Sequence, residues 1–308
     1  MPDLSIVIPT IARSRAIDHV LDGLAEQDPP LRDVEVLVVL DANAPPAHPV
    51  TDHARHAFPL TLTQAIRPGA SAARNRGWRA ASAPLILFLD DDIVPTPRLV
   101  AEHLAWHERH PAAEAAVLGL VRWSPAVKVT PFMRWLEMGI QFDYRSIDGT
   151  EIGWGHFYSC NVSVKRGLLE QVDGFDEERF PYGYEDLELA RRLSERGMRL
   201  LYNANAVGEH LKTETLDGWR RNLRRIAQAE RRFVARYPDT RAYFWELFRS
   251  AADSPPARGR LARLAPYVSP DLPWLGGVVW SSYDMVCRQR LAGEFLAEWE
   301  AAAGHQVA

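Results

Sequence analysis

The chain has 308 residues, 47% of them hydrophobic and 25% charged, and a formal net charge of -4. That size suits one large α/β domain or two small ones with an ordinary globular composition. The charge gives no global case for nucleic acid, Cys160 and Cys287 form neither a zinc motif nor a disulfide framework, and no stretch reaches the roughly 20 apolar residues that span a bilayer.

The first residues have no basic segment and no leading apolar one, so the expectation is a cytoplasmic protein without a secretory signal. Leu4 to Ile8 is an apolar run stopped by Pro9, a buried strand. Ser14 is placed to cap a helix whose apolar face is Ile17, Val20, Leu21 and Leu24, and Pro29-Pro30 ends that unit. Val34 to Leu40 is a second strand, closed by Asp41, and Leu60 to Ile66 alternates as a third. Gly69 to Ala83 is alanine-rich, carries Arg74, Arg76 and Arg79, and reads as a helix.

Leu85 to Leu89 then runs straight into Asp90, Asp91 and Asp92. The run is short enough for a buried strand, and its carboxyl end is where open α/β sheets bind ligands. Three adjacent anions repel one another, so the cluster calls for a cation or for solvent. A helix cap is the plainer alternative, but Thr96-Pro97 already offers an N-cap and an N1 proline to the next helix. On that helix His103, His107 and His110 read as surface residues.

Past residue 110 the pattern changes. Val117 to Val121 and Asn161 to Val164 read as strands. Trp123 to Phe157 is rich in aromatics and glycine without clear period, as in a pocket wall or a mobile loop. Leu187 to Arg196 is helical, with Gly197 as its stop, and Leu200 to Tyr202 is a short strand. Leu216 to Tyr237 is a basic amphipathic helix. Trp219, Leu223, Ile226, Phe233, Val234 and Tyr237 form one face; Arg220, Arg221, Arg224, Arg225, Arg231 and Arg232 form the other. Pro255-Pro256 marks a linker, and the tail from Leu272 to Ala303 ends in a helix. The alternation predicts an α/β fold with a doubly wound, mostly parallel central sheet flanked by helices, plus a C-terminal helical extension.

Five stretches stand in a telling order: Ser5 to Thr10, Val38 to Asp41, Gly69 to Gly77, Phe88 to Asp92 and Gly183 to Leu189. Together they resemble the family 2 glycosyltransferases of GT-A fold over roughly residues 4–215. The resemblance implies a nucleotide-sugar-binding half in residues 1–115, an acceptor-side half in 116–215 and a helical extension in 216–308. It implies that Asp90 and Asp92 are the outer positions of an Asp-x-Asp motif, with Asp92 on the metal and Asp90 on metal or ribose. Asp91 then orients the sugar or Arg74. A divalent Mn²⁺ or Mg²⁺ is the implied cofactor, since hard cations take oxygen ligands and stabilise charge on a diphosphate leaving group. His210 is a further ligand or a phosphate partner.

By the same resemblance Pro9, Thr10 and Arg13 line the nucleotide pocket, Asp41 meets the base and Arg74 organises the nucleotide or the acidic motif. The chain departs from the family pattern at Ile11-Ala12, where an aromatic-Asn pair is usual, and at Leu40-Asp41-Ala42-Asn43, where a second acid and a serine are usual. Asp186 is the implied general base, with Glu185 beside it, for a single in-line displacement that inverts the anomeric carbon. Trp154, Arg224 and Arg225 are acceptor-side candidates. The implied donor is a UDP-sugar, with GDP and dTDP next, and the acceptor a sugar, a lipid-linked sugar or a small molecule. The basic helix over 216–237 is also suited to peripheral contact with an anionic membrane at its inner face. Nucleic acid is not expected.

Other readings remain at this point. A phosphatase of the haloacid dehalogenase type also places Asp-x-Asp after a strand, but expects threonine where Val94 stands. A nucleotidyltransferase expects glycine in the loop that here reads Thr10-Ile-Ala-Arg-Ser-Arg15. A degenerate nucleotide-binding module predicts loss of one acidic motif, and both are present.

Overall fold

The computed structural model describes residues 2–11, 15–45, 58–257 and 259–304, so the expectations for Ala12, Arg13 and Ser14 lie outside the described residues. In chain order the elements are β1 (Leu4–Thr10), α1 (Ala16–Ala25), β2 (Val34–Leu40), β3 (Leu60–Gln64), α2 (Ala70–Ala80), β4 (Leu85–Leu89), β5 (Ile93–Pro95) and α3 (Leu99–Arg109). Then follow β6 (Ala115–Trp123), α4 (Pro131–Leu136), β7 (Glu151–Ile152), β8 (Asn161–Lys165), α5 (Arg166–Gln171), α6 (Glu185–Glu195) and β9 (Arg199–His210). The remainder is helical: α7 (Leu216–Arg236), α8 (Tyr243–Ala252), α9 (Gly259–Ala262) and α10 (Leu275–Gly304). Two units divide the chain, residues 1–127 with 146–212 and residues 128–145 with 213–308.

The first unit holds one sheet in the order β3-β2-β1-β4-β8-β6-β9-β5, with β7 on β9. The strands β3-β2-β1-β4 are parallel, as the sequence led one to expect. Beyond β4 the pairing is mixed, antiparallel at β4/β8 and β6/β8 and parallel at β6/β9. Both faces of the central strands are covered, so β1 and β4 are buried at every position, which is why they read as unbroken apolar runs. The chain reverses direction through the sheet between β1 and β4, and the crevice outside their carboxyl ends is the place such sheets offer a ligand.

Several expectations change. Pro9 does not stop β1, which continues to Thr10. β1 pairs with β4 only over Leu4–Val7, so one side of the strand is unpaired beyond that point and a residue without an N–H is tolerated. Thr96 does not cap α3; its hydroxyl donates to the Val207 carbonyl at 2.8 Å, and the helix starts at Leu99. The short strand expected at 200–202 is the first part of the 12-residue β9, which runs on to His210. The aperiodic stretch from Trp123 to Phe157 contains α4, capped by Thr130 and led by Pro131.

His103 and His107 are buried, not on the surface. His103 meets Asn161 Oδ1 through Nε2 at 2.9 Å and Ser163 Oγ through Nδ1 at 2.8 Å, and His107 Nε2 meets the same hydroxyl at 2.8 Å. Asn161 spends its amide N–H on the Ala206 carbonyl, so its oxygen faces the ring and His103 carries its proton on Nε2. Burial holds His103 down to about 4 and His107 down to about 3, so both are neutral.

The second unit is helical. Thr215 caps α7 by accepting from the Gly218 N–H at 3.1 Å. Glu230, fully buried on α7, accepts from Phe244 N at 2.7 Å and Trp245 N at 2.9 Å. It thereby satisfies the orphan donors that open α8, where a carboxylate also suits the helix dipole. Phe248 of α8 packs on Phe295 of α10 with ring centroids 5.0 Å apart, and Trp135 of α4 donates to Asp284 of α10 at 2.9 Å. No helix among the described residues is long and apolar enough to cross a membrane.

Candidate functional site

Three elements of the first unit bring charge to the carboxyl ends of β1 and β4. The acidic triplet Asp90–Asp92 leaves β4 directly. Arg74 comes from α2, and Glu185 and Asp186 come from the first turn of α6. Local chain geometry explains each placement. α2 starts at Gly69, whose φ of 114° and 2.6 Å gap between a would-be Cβ and the Pro181 carbonyl admit only glycine. Gly77 lets the same helix lie on β1, since a Cβ there would meet Val7 at 2.3 Å. Asn75 pins the helix to the Phe175 backbone, donating at 2.8 Å and accepting at 2.9 Å. α6 is entered through two left-handed residues, Gly183 at φ 79° and Tyr184 at φ 61°, and its acidic first turn suits the positive end of the helix.

Arg74 is the centre of the arrangement. Its buried guanidinium reaches Asp90 at 2.8 Å, Glu185 at 3.2 Å and Asp186 at 4.0 Å. Burial opposes its charge, but the pull of Asp90, Asp186 and Glu185 outweighs that cost and holds the proton more firmly than usual. Its Nε is buried without a hydrogen-bond partner. Burial and the neighbouring Asp186 charge push Glu185 up to about 7, against the pull of Arg74. Asp186 is oriented by Ser159, whose hydroxyl donates to Oδ1 at 2.5 Å and whose N–H donates to Oδ2 at 3.1 Å.

The three aspartates of the triplet have three environments. Asp90 ties to Arg74, and burial raises it against that attraction. Asp91 accepts the hydroxyl of Thr10 across the β1–β4 crevice, and burial together with Asp92 pushes it up to about 7. Asp92 lies 3.4 Å from His210 Nε2. Burial would raise Asp92, but the hydrogen bond and charge of His210, with Lys212, outweigh it and hold the group below the ordinary range. His210 is held in turn by stacking on Trp123, 4.9 Å between centroids and 12° from coplanar, and its Nδ1 is buried without a partner.

A cation can be weighed against this donor set. Among the described residues no three His, Cys, Asp or Glu side chains are grouped to hold a metal unaided. Carboxylate oxygens of Asp92 and Asp90, with His210 Nε2 on the Asp92 side, suit Mn²⁺ or Mg²⁺ that takes most of its ligands from phosphate oxygens and water. The residues therefore fit a cation shared with a diphosphate.

The other sequence candidates fall as follows. Pro9 and Thr10 close β1 at the crevice. Asp41 closes β2, and its carboxylate caps its own turn, accepting from Asn43 N at 2.7 Å and from Gly69 N at 2.6 Å. Each oxygen keeps a second lone pair. Trp154 is half-buried with the Arg191 guanidinium over its ring at 5.8 Å. Arg224 and Arg225 belong to the second unit. Ser159 and Trp123 were not picked out from sequence, because no spacing ties 159 to 186 or 123 to 210.

A sequence profile described as glycosyltransferase like family 2 matches residues 2–229. The validoxylamine A glucosyltransferase of Streptomyces hygroscopicus subsp. jinggangensis (strain 5008) is 31% identical over 235 residues, covering 68% of this chain and 55% of that protein. The chain spans about half the length of the curated relatives it matches. Among solved structures, the mannosyltransferase PcManGT from Pyrobaculum calidifontis, in complex with GDP-Man and Mn²⁺, superposes with a TM-score of 0.61 at 21% identity, covering 99% of this chain and 87% of that one. TarS 1-349 of S. aureus in complex with UDP-GlcNAc superposes with a TM-score of 0.55 at 15% identity, covering 99% and 92%. These likenesses show the fold.

Proposed function

The chain belongs to glycosyltransferase family 2 and has the GT-A fold, and from that premise we propose that it moves a hexosyl group from a UDP-sugar to an acceptor hydroxyl with inversion. One observation carries this reading. Arg74 joins the acidic triplet after β4 to the Glu-Asp pair of α6, 111 residues away, at the β1–β4 crevice. That juxtaposition provides a place for a leaving diphosphate and a base in one site.

Each residue then has a role. Asp92, Asp90 and His210 would hold the divalent cation, which supplies charge stabilisation on the departing diphosphate. Arg74 orients Asp90 and adds positive charge close to the same oxygens. Asp91, held by Thr10, faces the sugar. Pro9, Thr10 and Asp41 line the uridine side. Asp186 takes the proton of the acceptor hydroxyl. It is favoured over Glu185 because its side chain is 28% exposed against 10%, so an incoming hydroxyl can reach it. Glu185 is spent on Arg74. The hydroxyl attacks the anomeric carbon from the face opposite the diphosphate, in one displacement.

The acceptor follows from relatives only by class. One relative is named for glucosyl transfer to validoxylamine A, and a shorter match over 95 residues is named for transfer to an undecaprenol-linked glycan. Hydroxyl acceptors of both kinds suit the proposed base, with Trp154 as a platform for a sugar ring.

Calorimetric titration of UDP, GDP and dTDP, each with and without Mn²⁺, tests the donor site. UDP is expected to bind tightest, to need Mn²⁺, and to lose at least about tenfold in affinity in Asp92→Ala. Failure of all three nucleotides to bind overturns the donor site, and unchanged UDP affinity in Asp92→Ala removes that residue from the metal.

A further inference from the structure

Exposed apolar surface is concentrated at one corner of the second unit. Seven of the twelve exposed large apolar residues among the described ones fall within residues 261–278: Leu261, Leu264, Tyr267, Leu272, Trp274, Leu275 and Val278. Trp274 is 94% exposed and Tyr267 86%. Singly exposed apolar residues are ordinary on a protein surface, but a cluster of this density marks an interaction site.

The corner is ordered by its own hydrogen bonds. Tyr267 N donates to Leu264 O and Leu264 N to Leu261 O, both at 2.9 Å, so three of the seven recur at every third residue along successive turns. Val278 N donates to Trp274 O at 3.2 Å, which places Trp274 and Val278 on one side of the start of α10. From inside, Trp280 Nε1 donates to the Val268 carbonyl at 2.9 Å, and Ala262 and Ala265 are buried. The segment thus has its own small core and still turns its largest side chains outward. Trp274 does so from a left-handed backbone, φ 65°, which a bulky residue rarely adopts.

We propose that residues 260–278 form a docking surface for an anionic lipid bilayer. The chemistry selects that occupant. Tryptophan and tyrosine have an apolar body and a polar tip suited to the headgroup layer, and leucine and valine suit the acyl boundary beneath it. The charges at the corner are Arg260 and Arg263, both exposed and without an ion-pair partner among the described residues. The one acid in residues 259–280, Asp271, is already paired with Arg145 at 3.2 Å. Free charge here is therefore positive although the chain as a whole carries -4. Because no described helix can cross a bilayer, the contact is with its surface. The proposal also moves membrane contact from α7, where the arginine count alone placed it, to the α9–α10 corner. It stands whatever sugar the first unit transfers.

Co-sedimentation of the full chain with phosphatidylcholine vesicles, and with phosphatidylcholine vesicles containing phosphatidylglycerol, tests this. The chain is expected to partition onto the anionic vesicles and much less onto the neutral ones. The pair Tyr267→Ser with Trp274→Ser, and separately Arg260→Glu with Arg263→Glu, should each weaken partition by about tenfold or more. Circular dichroism should be unchanged in both, because all four side chains are exposed. Arg224→Glu with Arg225→Glu should leave partition within about twofold of the original. Absence of partition onto anionic vesicles overturns the proposal. So does partition that survives the Tyr267 and Trp274 changes, or that is lost only with Arg224 and Arg225. Sedimentation velocity gives the remaining arm: a dimer that the Tyr267 and Trp274 changes dissociate, with no vesicle partition, would assign the corner to a second copy and overturn the lipid reading.

Discussion

Arg74 and the exposed arginines of α7, Arg224 among them, are the same side chain in opposite circumstances. Arg74 is 5% exposed and serves Asp90, Glu185 and Asp186 at once. Arg220 pairs with Asp217 at 3.1 Å, Arg224 reaches Glu294 of α10 only at 3.8 Å from a side chain that is 61% exposed, and Arg231 lies over the Trp299 ring at 5.7 Å. The exposed Arg224–Glu294 pair contributes little, since water and salt screen it and two long side chains must be ordered, whereas Arg220 and Arg231 are half-buried. A buried arginine shared among three carboxylates cannot be removed without leaving unpaired charge in a desolvated site. The density of arginine along a sequence is therefore a poor guide to its importance, and burial with convergent partners is a better one.

The strongest test of the buried side of this contrast separates the two adjacent acids it holds. Asp186→Asn is expected to lower transfer by about a thousandfold and leave UDP affinity intact. Glu185→Gln should instead retain most of the transfer activity. Residual transfer near the original level in Asp186→Asn would place the base elsewhere. Arg74→Ala comes next: a loss of roughly 3 kcal/mol in chemical denaturation is expected, because Asp90 and Glu185 lose their partner, together with a loss of transfer. A variant as stable as the original would show that the cluster is solvated rather than paired.

The buried histidines extend the contrast to pH. His103 and His107 stay neutral in the fold, at about 4 and 3, whereas in the unfolded chain they take up protons near the ordinary 6.5. Between those values the unfolded state binds more protons, so their contribution to stability is complete above about 6.5 and is lost as pH falls toward 4. Denaturation at pH 7 and at pH 5 should differ by about 2 kcal/mol for each histidine, about 4 kcal/mol for the pair, and His103→Gln with His107→Gln should flatten the dependence. The smallest effect is expected on α7. Arg224→Ala with Arg225→Ala should change stability by less than about 0.5 kcal/mol per site, and a larger loss would break the contrast with Arg74.

Much of the first unit was legible in the chain. β2 and β4 have the bounds that their apolar runs suggest, and α1 buries Ile17, Val20, Leu21 and Leu24 as its period requires. β9 was legible only at its start, because Asn203 to Gly208 is small and polar and is held as strand by pairing with β6 and β5. α4 was missed because six residues are too few to display a period. His103 and His107 were misread because a polar residue on a helix looks solvated until its partners, Ser163 and Asn161 on β8, are known.

The sequence alone determined which stretches would be buried strands and that three carboxylates would leave the sheet after β4, because both follow from neighbours along the chain. It also carried the family's motifs in order. Only the tertiary structure decided that Arg74 would meet Glu185 and Asp186, that Ser159 would orient the Asp186 carboxylate and that Trp123 would hold His210 against Asp92. These contacts join residues tens to more than a hundred positions apart. They depend on which strands lie side by side and on where the chain turns into α2 and α6, and no local period encodes either.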